Sequence, residues 1–164
     1  MSLQYTVETL RVNLKGTAMT DSARLERIES SFNLLKPKAT ALVDTFYDLL
    51  FAQFPQVRGM FPADLDGQKG KLVGALAFVV ANVRNPDALA KTLREMGARH
   101  VKYGTREEHY PIVRDVMLQA MARTAGSDWN QTLEQDWAWA LNTVAALMIE
   151  GAQAVGDARG KHAA

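Results

Sequence analysis

The chain has 164 residues, 48% of them apolar, and a formal charge of +1; that suffices for one domain with a real core and is too nearly neutral for a polybasic anchor or a nucleic-acid groove. It contains no cysteine, which excludes disulfides, zinc–thiolate sites, iron–sulfur clusters and thiol catalysis. No apolar run reaches the length of a membrane span and the N-terminal MSLQYTVETLRVNLKG lacks the apolar stretch of a signal peptide, so a cytoplasmic setting without membrane or nucleic-acid partners is expected.

Along the chain the apolar spacing is helical almost everywhere. Residues 1–20 read as an arm or short extra helix. Asp21 or Ser22 caps a helix running to about Leu35. Pro37 opens a second helix in its first turn, where a missing N–H costs little; it buries Leu42, Phe46, Leu49 and Leu50, with Val43, Tyr47 and Phe54 on an adjoining stripe. Pro55 ends that helix and begins a short turn reaching Phe61. A third helix, from about Asp66 to Val83, carries Leu65, Gln68 or Lys69, Leu72, Leu76, Val79 and Val83 on one stripe. Asn85-Pro86 punctuates the pattern. The next stripe is Leu89, Leu93, Met96, His100 and Tyr103, closed by Gly104 with positive φ.

Thr105-Arg106-Glu107-Glu108 then reads as a capping box. The helix it opens has Tyr110, Val113, Met117 and Met121 inward and Pro111 in its interior, at the cost of a hydrogen bond or a bend. After a turn at Ala125-Gly126-Ser127, the last helix runs to about Val155 and buries Leu133, Trp137, Leu141, Val144 and Met148. A helical domain over 21–155, followed by a frayed tail over 156–164, is the expected organisation. The fold class is all-α: about six main helices with short extra turns, packed obliquely rather than as a regular bundle.

Three histidines are present: His100, His109 and His162. His162 falls in the tail, and His109 follows two glutamates as a solvated residue. His100 alone lies on an apolar stripe. It reads either as a buried histidine satisfied by a carbonyl one turn earlier, near Met96, or as a neutral imidazole ligating a metal or haem iron. Tyr47 is likewise either a core tyrosine bonded to a backbone carbonyl or a donor aimed at a ligand.

The run from Leu93 to Gly104, LREMGARHVKYG, resembles the proximal helix of the globin family. Gly67-Gln68-Lys69-Gly70-Lys71-Leu72 resembles its distal helix. Residues 46–51, FYDLLF, with Phe54-Pro55 and Met60-Phe61, resemble its second helix and the following corner, and His109-Tyr110-Pro111-Ile112-Val113 the start of its next-to-last helix. The likeness spans roughly 21–153 and is strongest to bacterial single-domain globins and to the haem domain of flavohaemoglobins.

That resemblance implies a globin fold of about six to eight helices around haem b (iron protoporphyrin IX). It implies His100 as the iron ligand and Phe61 stacked on the porphyrin. Tyr47 and Gln68 would be distal donors to a ligand gas, and Leu72 would limit access. Lys71 and Arg99 would serve the propionates, while Met96, Tyr103, Tyr110, Val113 and Met117 form the proximal floor. An amide is a poor iron ligand, so the sixth position would be open or water-bound. Tyr110 matches a proximal tyrosine of flavohaemoglobins. Their last-helix glutamate aligns with Ala152, with Glu150 facing elsewhere, so a strong proximal push is not expected. The sequence ends at Ala164, so no flavin or NAD domain is expected.

The function implied is reversible binding of O2, for transport or storage, with NO or CO as other ligands. A second reading is nitric oxide dioxygenation with an external reductase, and a third a haem-based gas or redox sensor. A haem-free helical domain of the phycobiliprotein or stress-regulator type would keep the fold and discard the site. Either a monomer or a homodimer is compatible with the sequence.

Overall fold

The computed structural model describes residues 18–162, and side chains from 22 to 161. The arm expected over 1–20 therefore lies outside the described residues except for 18–20, which open the first helix. Six α-helices follow: α1 Ala18–Leu35, α2 Ala39–Gln53, α3 Asp66–Asn82, α4 Pro86–His100, α5 His109–Ala125 and α6 Gln131–His162. Single 3₁₀ turns occupy Lys36–Lys38, Pro55–Met60, Val101–Tyr103 and Gly126–Asp128. There is no strand among the described residues, and no helix is long and apolar enough to cross a membrane.

Local chemistry sets most boundaries. Pro37 sits in the 3₁₀ turn before α2 rather than in α2 itself. Pro55 stops α2, whose last bond runs from the Phe54 N–H to the Leu50 carbonyl at 2.8 Å. Asn85 caps α4 by accepting from the Ala88 N–H at 3.3 Å, with Pro86 in the first turn. At its far end Gly104 has φ +80°, which brings the Thr105 N–H to the His100 carbonyl at 3.2 Å, the reach of a glycine C-cap. Asn130 caps α6 through the Leu133 N–H at 3.0 Å.

The capping box expected at Thr105–Glu108 does not form: α5 starts at His109 without a side-chain cap from Glu108. Instead the His109 Nδ1 accepts the Arg106 N–H at 3.0 Å, so this imidazole is a half-buried turn residue rather than a solvated one. The later start also puts Pro111 in the first turn, where its missing N–H has no partner to lose. The last helix continues past Val155 to His162.

The core is continuous, from Ile28 and Leu35 of α1 through Phe46, Tyr47 and Leu50 of α2, Leu76 and Val79 of α3 and Leu93 of α4, to Met117, Met121 and Trp137. Helix α2 packs on α5, while α4 packs along α6 far more extensively than on α3. At the α4–α6 crossing, a Cβ on Gly97 would meet the Met148 carbonyl group, and one on Gly151 the Arg94 carbonyl group. The backbones there touch directly, with the Arg94–Glu150 ion pair (2.9 Å) beside them. Helices α3 and α4 are thus only sparsely joined to each other.

Candidate functional site

Helix α2 brings the Tyr47 side chain into an aromatic group. Its ring lies 5.0 Å from Phe46, 5.7 Å from Phe51 and 5.7 Å, edge-on, from Phe61. Only 2% of Tyr47 is exposed. The Gln68 side chain, in the first turn of α3, reaches its hydroxyl. Burial raises the Tyr47 phenol above its ordinary value, against smaller lowering effects from Gln68 and the Lys69 charge, so it stays a protonated donor at neutral pH. One turn beyond Gln68, Leu72 is half-buried against the core.

Helix α4 carries His100 at its C-terminal end. The His100 Nδ1 lies 2.8 Å from the Met96 carbonyl oxygen. A carbonyl can only accept, so Nδ1 carries the proton and Nε2 keeps its lone pair. Burial pushes His100 below the ordinary imidazole value; the Met96 carbonyl opposes this and the Arg99 charge adds to it. The ring is therefore neutral at pH 7, oriented from behind, and chemically a metal-ligating imidazole. Tyr103 meets it edge-on at 5.5 Å.

Of the predicted residues, the structure joins Tyr47 to Phe61 and Gln68, and His100 to Met96 and Tyr103; Leu72 stands on α3, and Tyr110 and Val113 at the start of α5. Three large hydrophobic residues are exposed among those described, and two are Tyr103 (59%) and Val113 (38%), which the helical spacing places on inward stripes but the structure leaves open to solvent. The Tyr110 hydroxyl is buried with no partner. A neutral imidazole with its Nε2 lone pair free and the Tyr103 ring beside it is a donor that fits haem iron. Lys71 and Arg99 are exposed. Glu150 is held by Arg94 and does not serve His100.

Two neighbours escaped the sequence reading. Phe51 packs on Phe61 at 5.5 Å; it stands inside the FYDLLF run but off the buried stripe. Lys69 forms an ion pair with Asp44 at 2.6 Å, joining α3 to α2 next to Gln68; exposed charge pairs between distant segments leave no pattern in one sequence.

The globin family profile matches residues 44–148. A flavohemoprotein of Bacillus thuringiensis subsp. konkukian is 29% identical over 113 residues, covering 66% of this chain and 28% of its own length. A globin-like protein of Aquifex aeolicus is 29% identical over 94 residues, covering 57% of this chain and 68% of its own. The chain thus spans less than a third of that flavohemoprotein. Among solved structures, a bacterial globin from Campylobacter jejuni superposes with a TM-score of 0.74 at 23% identity, over 83% of this chain and 99% of that one. An engineered carbene transferase, made from a candidate nitric oxide dioxygenase of Rhodothermus marinus, gives 0.73 at 27% identity, over 86% and 96%. With more than half its length inside the family profile, Tyr47, Phe61, Gln68 and His100 included, this chain belongs to the globin family.

Proposed function

We propose that this globin holds haem b between α3 and α4, with His100 Nε2 as the iron ligand, and binds dioxygen reversibly for storage or delivery. The observation that carries the reading is the buried Tyr47 hydroxyl facing Gln68. Haem supplies an iron that takes small diatomic ligands. The chain does the rest. Met96 fixes the imidazole tautomer through Nδ1. Phe61 and Leu72 would contact the porphyrin, and Tyr47 and Gln68 would offer hydrogens to a ligand that gains negative charge. Lys71 and Arg99 would neutralise the propionates, and Met96, Tyr103, Tyr110 and Val113 would line the proximal side.

Nitric oxide dioxygenation is the second reading, favoured by the flavohemoprotein relatives and by the candidate nitric oxide dioxygenase among similar structures. It needs electrons from a separate reductase. Against a strong proximal push, Glu150 is spent on Arg94 and Ala152 carries no charge.

Titration of the purified protein with haemin tests the proposal. A Soret band saturating at one equivalent is expected, with that ligation lost in His100→Ala; no band in the wild type, or an unchanged spectrum in the variant, would overturn it. Under NO and O2, stoichiometric conversion supports reversible binding, and sustained nitrate formation with an added reductase supports the enzyme.

A further inference from the structure

Arg58 lies in the 3₁₀ turn between α2 and the Phe61 corner, and nothing in the apolar pattern marks it. Its side chain makes three bonds to backbone: Nη1 donates to the carbonyls of Phe61 at 3.3 Å and Pro62 at 3.0 Å, and Nη2 to that of Ala63 at 3.1 Å. Its own carbonyl accepts the Phe61 N–H at 3.2 Å. Phe61 is thus held at both its N–H and its C=O by one residue. The guanidinium also lies over the Phe51 ring, 4.9 Å from the centroid, and Phe51 packs on Phe61 and on Tyr47.

These contacts converge on a segment with little else to fix it. Phe61 is extended, and no regular element intervenes before α3 begins at Asp66. The Pro62 and Ala63 carbonyls are exposed and water could serve them, so what Arg58 adds is geometry: one donor group fixes three successive carbonyls relative to each other. A guanidinium can satisfy all three at once, because its five N–H groups lie in a fixed plane; an ammonium is a compact point charge without that fork. The aromatic face on its other side adds attraction that strengthens as water is excluded.

We infer that Arg58 is a positioning residue of the haem pocket: it sets the Phe61 ring and, through Phe51, the Tyr47 ring. This rests on the reading of Phe61 as a haem contact. Arg58 bonds to the corner backbone and lies over Phe51, and its effect on the pocket passes through these contacts.

The test uses Arg58→Lys and Arg58→Gln in the haem-loaded protein, with Arg84→Lys as a control for loss of an arginine fork elsewhere, at the Arg84–Glu29 ion pair. Haem transfer to a scavenger protein should speed up roughly tenfold or more in both Arg58 variants, since lysine keeps the charge but not the fork. Amide exchange at residues 61–65 should accelerate, and the dioxygen off-rate should shift through Tyr47. A fully restored haem-release rate in Arg58→Lys, or unchanged amide exchange in both variants, would overturn the inference. Should Arg58→Gln not fold, Arg58→Lys decides alone. Failure of the wild type to take up haem at all would instead refute the pocket.

Discussion

Tyr47 and Tyr110 are both phenols in apolar surroundings, and they differ in one respect: Tyr47 has Gln68, whereas the Tyr110 hydroxyl has no partner. A hydrogen bond aimed at a charged ligand contributes about 1.5–3 kcal/mol. Tyr47→Phe should therefore raise the dioxygen off-rate by about tenfold or more; stopped-flow displacement by CO reads it, and an unchanged rate would leave Gln68 as the working donor. The same burial shapes the alkaline limit of the apoprotein. It raises both phenols above 10, so in the folded state they keep protons that the unfolded chain loses near that pH. The unfolded state then binds fewer protons, and stability falls as pH rises above about 10. Urea midpoints measured across that range should decline less steeply in Tyr47→Phe and Tyr110→Phe; parallel declines would contradict the assignment.

At the scale of elements, the α4–α6 crossing makes the sharpest prediction. Alanine is better than glycine in a helix by about 1 kcal/mol, and at Gly74 and Gly156, where a Cβ would meet nothing within 4 Å, substitution should stabilise by up to that amount. At Gly97 and Gly151 the added Cβ meets backbone, which cannot rotate away as a side chain can. Overpacking costs about 1–3 kcal/mol or more and outweighs the propensity gain, so Gly97→Ala and Gly151→Ala should lower the melting temperature while Gly156→Ala raises it. The crossing was invisible in the sequence because backbone contact leaves no apolar stripe. The helices themselves were legible, since Leu42, Phe46, Leu76, Leu93, Met117 and Trp137 repeat at helical intervals and are buried as that repeat requires. The start of α5 differs from the capping-box pattern because the His109 ring accepts the Arg106 N–H and holds residues 106–109 in a turn ahead of the helix. At the site, His100, Gln68, Tyr47 and Phe61 were recognisable as a family set, though each alone also suited an ordinary core. Arg58 was not, because bonds to carbonyls have no sequence signature.

Across the whole molecule, α6 ties the parts together. Near its start Asp136, 2% exposed, accepts from Arg24 at 3.2 Å and from Arg27 at 2.6 Å, while Trp137 donates to Ser31 Oγ at 2.9 Å; all three partners belong to α1. Further along, Gly151 meets α4. Asp136→Asn keeps the shape and removes the charge. Because the Arg24 and Arg27 side chains are 33% and 41% exposed, the loss should stay below the roughly 3–5 kcal/mol of a fully enclosed pair; urea denaturation measures it, and no change at all would mean that the carboxylate is not holding α1. The glycine crossing has a mechanical meaning at this scale. Side chains between two helices act as a compliant layer that can change rotamer and absorb a displacement, whereas touching backbones have none, and a close-packed interior transmits strain. The α4 segment that carries His100 is thus a stiff mount: a pull on the imidazole would be passed to α6, the longest lever in the fold, rather than dissipated where it arose.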